Sequence, residues 1–238
     1  MAYVEGCDVS VWQDSNSTPQ KVDFQKMYAG GKRFVMIKAS QANWMDEDFL
    51  WNWKDSKDNG LLRGAYHFLT WDVDPKKQAD FVLGLVQQDP AELGIWVDYE
   101  WWGTIPSNAI QIVDAFCTRI EQNLKRCGIY TAPGFWQSYG STDPKWITRP
   151  LWIALWYAPA PTVFKPWTDW TFWQYTPKGD GIALGCESKQ VDLDYFNGTY
   201  DDLLKFANKE PVPVPVPTIK EQLQATVKQL SDLVEQLP

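Results

Sequence analysis

Residues 94–102 read GIWVDYEWW, and the fold turns on this stretch. A glycine opens a run of apolar, β-branched and aromatic residues that reads as a strand over Gly94–Glu100. Amphipathic stretches flank it, predicting helices over Pro75–Gln88 before it and Ser107–Arg126 after it. The same alternation extends outward, with strands expected over Tyr3–Asp8, Phe34–Ala39, Arg63–Leu69, Ile129–Ala132, Leu151–Leu155, Thr171–Tyr175 and Gln190–Tyr195. Further helices are expected over Asp23–Ala29 and Glu47–Asp58, with a short helical turn over Gly134–Tyr139. Pro75 and Pro106 stand near helix starts, and Gly60 and Gly128 follow helix ends, where a left-handed residue is often needed. Strands alternating with helices describe an α/β barrel. Because the helical signal fades after the fifth strand, the barrel is an irregular, TIM-like one of eight strands and about five helices.

Composition narrows the function. The chain has 238 residues, enough for one main domain with a short tail. Its 22 Lys and Arg against 30 Asp and Glu leave a formal charge of -8, which argues against nucleic acid as a partner. A single histidine, His67, and four cysteines without close spacing give no support to a metal site, and no cofactor is expected. Cys117 and Cys127 are expected on one helix, where a rise of about 1.5 Å per residue sets them roughly 15 Å apart. They and Cys7 and Cys186 are therefore expected as free buried thiols. The start MAYVEGCDVSVWQ has no basic, then apolar pattern, and no stretch is long enough to span a membrane. The expectation is synthesis in the cytoplasm without a signal peptide and no membrane insertion.

Residues 211–217 read PVPVPVP, a semi-rigid polyproline spacer. This divides the chain into a barrel over residues 1–208, a linker over 209–217 and an amphipathic C-terminal helix over 218–238. The helix stripe at Ile219, Leu223, Leu230, Leu233 and Leu237 cannot stay wet: it packs back on the barrel, belongs to a larger piece outside this chain, or, as favoured here, drives weak self-association into a homo-oligomer.

Chemistry centres on carboxylates. Strand alternation places Asp98 and Glu100 on one face, with α-carbons roughly 6.6 Å apart, close enough to perturb each other's ionisation. Asp8 ends the first strand in CDVSVWQ and Asp192 sits in the last in QVDLDYF. The first and last strands of a closed barrel are neighbours, so these acids converge on the same opening. Like charges in a confined space raise the pKa of at least one acid, supplying a general acid near neutral pH. Lys38 ends the second strand, and either pairs with a pocket acid or is solvated. By alternation either His67 or the pair Tyr66 and Phe68 faces the lumen. Tyr130, Trp152, Gln174 and Tyr175 are further candidates to line the site or to pack the core.

The ordered set CDVSVWQ, FVMIKAS, GAYHF, WVDYEWW, LWIALW, FWQY and VDLDYF resembles the lysozymes of glycoside hydrolase family 25, the Chalaropsis-type muramidases, from about Tyr3 to Ala207. The resemblance implies cleavage of the β-1,4 bond between N-acetylmuramic acid and N-acetylglucosamine in bacterial peptidoglycan, with retention. It implies Glu100 as general acid, Asp98 as its companion carboxylate, Asp8 and Asp192 as two further site acids, and aromatic contact with substrate from Tyr66 and Phe68. The nucleophile is either the substrate's 2-acetamido group, oriented by Asp98, or a carboxylate. The resemblance also implies action on the cell wall, with release as a phage endolysin. This chain departs from the family at Gln41 and Ala42, where Glu-Gly often follows the second strand. A non-catalytic wall-glycan-binding barrel is the alternative, and the presence of all four acids counts against it.

Overall fold

The computed structural model describes residues 3–14, 18, 20–101 and 103–209; the linker and tail helix expected beyond them lie outside the described residues. Its strands are β1 (Val4–Val9), β2 (Phe34–Gln41), β3 (Trp44–Met45), β4 (Leu62–Phe68), β5 (Ile95–Asp98), β6 (Cys127–Thr131), β7 (Leu151–Ala154), β8 (Phe172–Asp180) and β9 (Gln190–Phe196). The hydrogen-bonded order is β1-β9-β8-β7-β6-β5-β4-β2, and β1 pairs with β2 to close an eight-stranded barrel. The two-residue β3, not anticipated from the sequence, folds back on the end of β2 outside the ring. Strands β1 to β8 of the ring pair in parallel, whereas β9 runs antiparallel to both neighbours. Its first residues, not its last, therefore stand at the mouth where the parallel strands end.

All five expected helices form, as α1 (Phe24–Ala29), α2 (Phe49–Asp58), α3 (Pro75–Val86), α4 (Ala109–Glu121) and α5 (Pro133–Tyr139), and α6 (Tyr200–Phe206) follows β9. Local chemistry sets their ends. Asp23 and Asp74 accept backbone N–H bonds at the first turns of α1 and α3, and Pro75 and Pro133 occupy first-turn positions that lack an N–H partner. Gly60 takes φ +82° just after α2, as a left-handed terminus requires.

Two expectations are corrected. Helix α4 stops at Glu121, short of Arg126, so Cys117 lies on a helix and Cys127 on β6. The two buried thiols are neighbours across the helix–sheet interface, and Cys127 is pushed well above its ordinary pKa by burial and then by Cys117. Gly128 is no helix cap. It sits within β6, and its requirement is one of space.

The lumen explains that requirement. Val4, Phe34, Met36, Leu62, Trp96, Trp152, Phe172 and Phe196 fill the lower barrel. A β-carbon added at Gly128 would lie 2.1 Å from the Trp96 ring, one at Gly64 2.3 Å from Met36 Sδ and one at Gly6 2.5 Å from Phe34. Three glycines thus leave room for three large side chains to cross the barrel axis, giving the close packing that interiors require. Outside the strands a second core, including Phe49, Trp53, Phe116, Trp136 and Trp173, joins sheet to helices. Gly128→Ala should force the indole aside and cost about 2 kcal/mol. Thermal denaturation should show this as a melting temperature lower by roughly 4–8 °C; an unchanged value would refute the packing argument.

Candidate active site

The strand ends bring the acids together. Asp8 is the penultimate residue of β1 and lies opposite Asp192 of β9 in the antiparallel register. Asp98 is the last residue of β5. Glu100 was expected on that strand but lies in the bend beyond it, because pairing to β4 and β6 ends at Asp98. Tyr99 still donates its N–H to the Tyr130 carbonyl at 3.0 Å, so the chain follows the sheet one residue further before turning.

Gln174 of β8 joins these elements. Its Nε2 donates to Asp8 Oδ2 at 2.7 Å and to Asp192 Oδ2 at 3.2 Å. Its Oε1 accepts from the Tyr130 hydroxyl and from Trp156 Nε1, both at 2.9 Å. All four hydrogen-bonding positions of a buried amide are thereby satisfied across β1, β6, β9 and the segment after β7. The Tyr130 hydroxyl is pushed well above its usual range by burial, then by Glu100, Asp98, Asp8 and Asp192, so it stands within reach of the fields of all four acids.

Electrostatics favours protonated acids. Burial, and then Glu100, push Asp98 well above the carboxylate range, with Lys38 opposing. Glu100 is raised by burial, lowered by Lys38 and raised again by Asp192. Asp192 rises to about 6 through burial. Burial followed by Asp192 and Asp194 raises Asp8, against the Gln174 hydrogen bond. A confined group of like charges lowers its energy by keeping protons.

The other sequence candidates divide. Tyr66, on the lumen face of β4, hydrogen-bonds Ser10 and feels Asp8, Asp98 and Asp46. Lys38 forms no ion pair with an acid among the described residues; its Nζ donates to Gln41 Oε1 at 3.0 Å and sits 5.3 Å from the Phe68 ring centroid and 5.5 Å from that of Trp44. Trp152 is buried below the acids, edge-on to Tyr130 at 4.5 Å. Tyr175 belongs to the opposite face of β8 from Gln174, where it stacks on Tyr195 at 4.1 Å and away from the acids.

His67 faces the helices. Its Nε2–H donates to Gln78 Oε1 at 3.0 Å, Nδ1 accepts from Ser40 Oγ at 2.8 Å, and the ring stacks on Phe116. It is a neutral core residue.

Three features were missed. Asp194, fully buried, shares the lumen face of β9 with Asp192, a placement that the alternation of QVDLDYF already contained. Trp156 and Trp44 stand half-exposed on segments beyond β7 and β2, where strand periodicity carries no signal. With Trp12 and Trp101 they give the mouth a rim of exposed indoles, a surface suited to the flat faces of sugar rings. A groove of about 760 Å³ beside α5, lined by Trp136, Leu155 and Phe164, contains no carboxylate. The acids, rather than volume, mark the site.

Two measurements test this description. Burial lowers His67 from 6.5 to about 4, so between those values the unfolded chain binds a proton that the folded chain refuses. This contribution is fully present above pH 6.5 and is lost as pH falls towards 4, on the order of 3 kcal/mol. The melting-temperature difference between wild type and His67→Gln should therefore shrink or reverse on acidification; a constant difference would refute a neutral His67. Ala42, at the family departure, holds φ 50°. Relief of left-handed strain should make Ala42→Gly more stable by about 1 kcal/mol after the entropic loss, and a lower melting temperature would contradict that strain.

Comparison with known proteins identifies the family. The family described as "Glycosyl hydrolases family 25" matches residues 7–182. An N,O-diacetylmuramidase of Arthroderma benhamiae is 33% identical over 217 residues, covering 86% of each protein. Lysozyme M1 of Streptomyces globisporus is 31% identical over 219 residues, covering 86% of this chain and 71% of that protein. Among solved structures, the bacterial lysozyme from Streptomyces coelicolor superposes with a TM-score of 0.72 at 27% identity, covering 87% of this chain and 98% of the other.

Proposed function

The chain belongs to glycosyl hydrolases family 25, and from that premise we propose that it is a peptidoglycan muramidase whose proton donor is Glu100. The carrying observation is the convergence of Asp8, Asp98, Glu100 and Asp192 around the Gln174 amide and Tyr130 hydroxyl at the barrel mouth. The bond cut is the β-1,4 link between N-acetylmuramic acid and N-acetylglucosamine in the bacterial wall.

Cleavage needs a proton on the leaving oxygen and negative charge near the anomeric carbon. Glu100 lies outermost of its pair, and burial, opposed by Lys38 and aided by Asp192, raises it above the ordinary carboxylate range, so it holds its proton more firmly than a free glutamate. Burial is the first cause that raises Asp98; once Glu100 carries its proton the second, Glu100 repulsion, is relieved, and Lys38 favours the Asp98 carboxylate. Asp98 then orients the substrate's 2-acetamido group as nucleophile, which gives retention. Asp8 and Asp192, tied by Gln174, complete the acid-lined pocket, while Tyr66 and the rim indoles offer apolar faces to the sugars. Residues 1–208 form the catalytic unit in this reading, and the apolar stripe of residues 218–238 serves self-association.

Glu100→Gln should fold with an unchanged melting temperature and lose roughly 10²–10⁴-fold in turnover, because an amide has no proton to give. Retained turnover would remove Glu100 from the mechanism. Borohydride reduction of digested peptidoglycan should convert muramic acid to its alcohol; glucosaminitol would instead mean the other glycosidic bond is cut, and neither alcohol would mean binding without hydrolysis.

A further inference from the structure

One buried acid has no place in that mechanism. Asp194 lies one layer deeper in the lumen than Asp192, fully shielded from solvent. Its Oδ1 accepts the Trp152 indole N–H at 2.7 Å, and its Oδ2 has no hydrogen-bond donor. Asp194 pairs with Gly6 in the register that sets Asp192 opposite Asp8, so it stands diagonal to Asp8 on the lumen face, where each acid acts on the ionisation of the other. Two carboxyls cannot share a buried hydrogen bond unless one carries a proton.

We propose that Asp8 and Asp194 form a proton-sharing carboxyl pair, in which Asp194 is a positioning residue that keeps Asp8 neutral beneath the substrate. The proposal rests on the muramidase reading only for its effect on catalysis; the pair itself is a property of the folded chain. Each partner has one further donor, Gln174 Nε2 for Asp8 and Trp152 Nε1 for Asp194. With the proton on Asp8, its O–H donates to the open Oδ2 of Asp194, and every polar atom of the pair gains a partner. The negative charge then rests on Asp194, one layer away from the sugar. Burial raises both groups, Asp194 to about 7. The charged and titratable groups facing the pair are Asp192 on β9, Tyr66 on β4, Tyr130 on β6 and Lys32 before β2, the last favouring ionisation of Asp194, while Cys7 and Tyr175 feel the pair from the outer faces of β1 and β8.

Asparagine at 194 satisfies the same geometry without a proton: its carbonyl accepts from Trp152 and its amide donates to Asp8. Asp8 then ionises, and the charge moves up beside Asp192. The test is carboxyl-carbon NMR titration of full-length chains labelled at aspartate, in wild type, Asp194→Asn and Trp152→Phe. Asp8 should titrate well above the ordinary carboxylate range in wild type and more than about two pH units lower in Asp194→Asn. Trp152→Phe removes the donor that holds charge on Asp194, and should also lower Asp8 if the asparagine variant fails to fold. In kcat/KM profiles on peptidoglycan, the charge moved towards Asp192 should shift the alkaline limb of Asp194→Asn to higher pH. An Asp8 titration unchanged in the folded variants, or a profile that merely scales down with its shape intact, would overturn the pair. Absence of hydrolysis in wild type would refute the muramidase reading while leaving the NMR result decisive for the pair.

Discussion

The contact on which the barrel depends is the Trp96 indole lying against the bare α-carbon of Gly128. An eight-stranded barrel has a lumen that side chains must fill, and strand β6 offers no side chain at that level. The indole crosses into the vacancy and meets Trp152 and Phe172 edge-on. This aromatic layer blocks the barrel below, so polar side chains gather only above it. The site is shallow because its floor is packed.

On that floor the governing problem is charge. Five carboxyls, from Asp8, Asp98, Glu100, Asp192 and Asp194, share the upper lumen with Lys38 as the cation whose field reaches Asp98 and Glu100. Neutral groups do most of the compensation. Gln174 directs its amide N–H bonds to Asp8 and Asp192, and Trp152 gives its indole N–H to Asp194. Such donors stabilise carboxylates without cancelling their charge, so the acids stay poised to exchange protons with a bound substrate.

Much of this was legible in the chain because strand alternation is a strong signal. It put Asp98 on the lumen face, and the closure of first strand against last brought Asp8 to Asp192. The order of motifs gave the family. Other features were hidden for physical reasons. Whether Tyr66 or His67 faced inward depended on the phase of β4 relative to the barrel, which periodicity leaves free. Helix α4 ends at Glu121, although its sequence continues without a Gly or Pro until Gly128. The role of Gly128 was misread because a glycine after a helical pattern signals a cap, while its actual neighbour, Trp96, arrives from another strand. Trp156 acts from a segment with no regular period, so only its bond to Gln174 in three dimensions reveals it.

The reversed direction of β9 has a consequence in time. A ribosome delivers Asp8 with the first strand of the barrel and Asp192 with the last, and the two meet only when β9 slides between β8 and β1. Until then Gln174 has no complete set of partners and the ring is open along one edge. A nascent or prematurely ended chain therefore carries most of the domain's mass without its pocket. An enzyme able to cut the wall of a cell thus assembles its cutting site last, with the final strand acting as the latch.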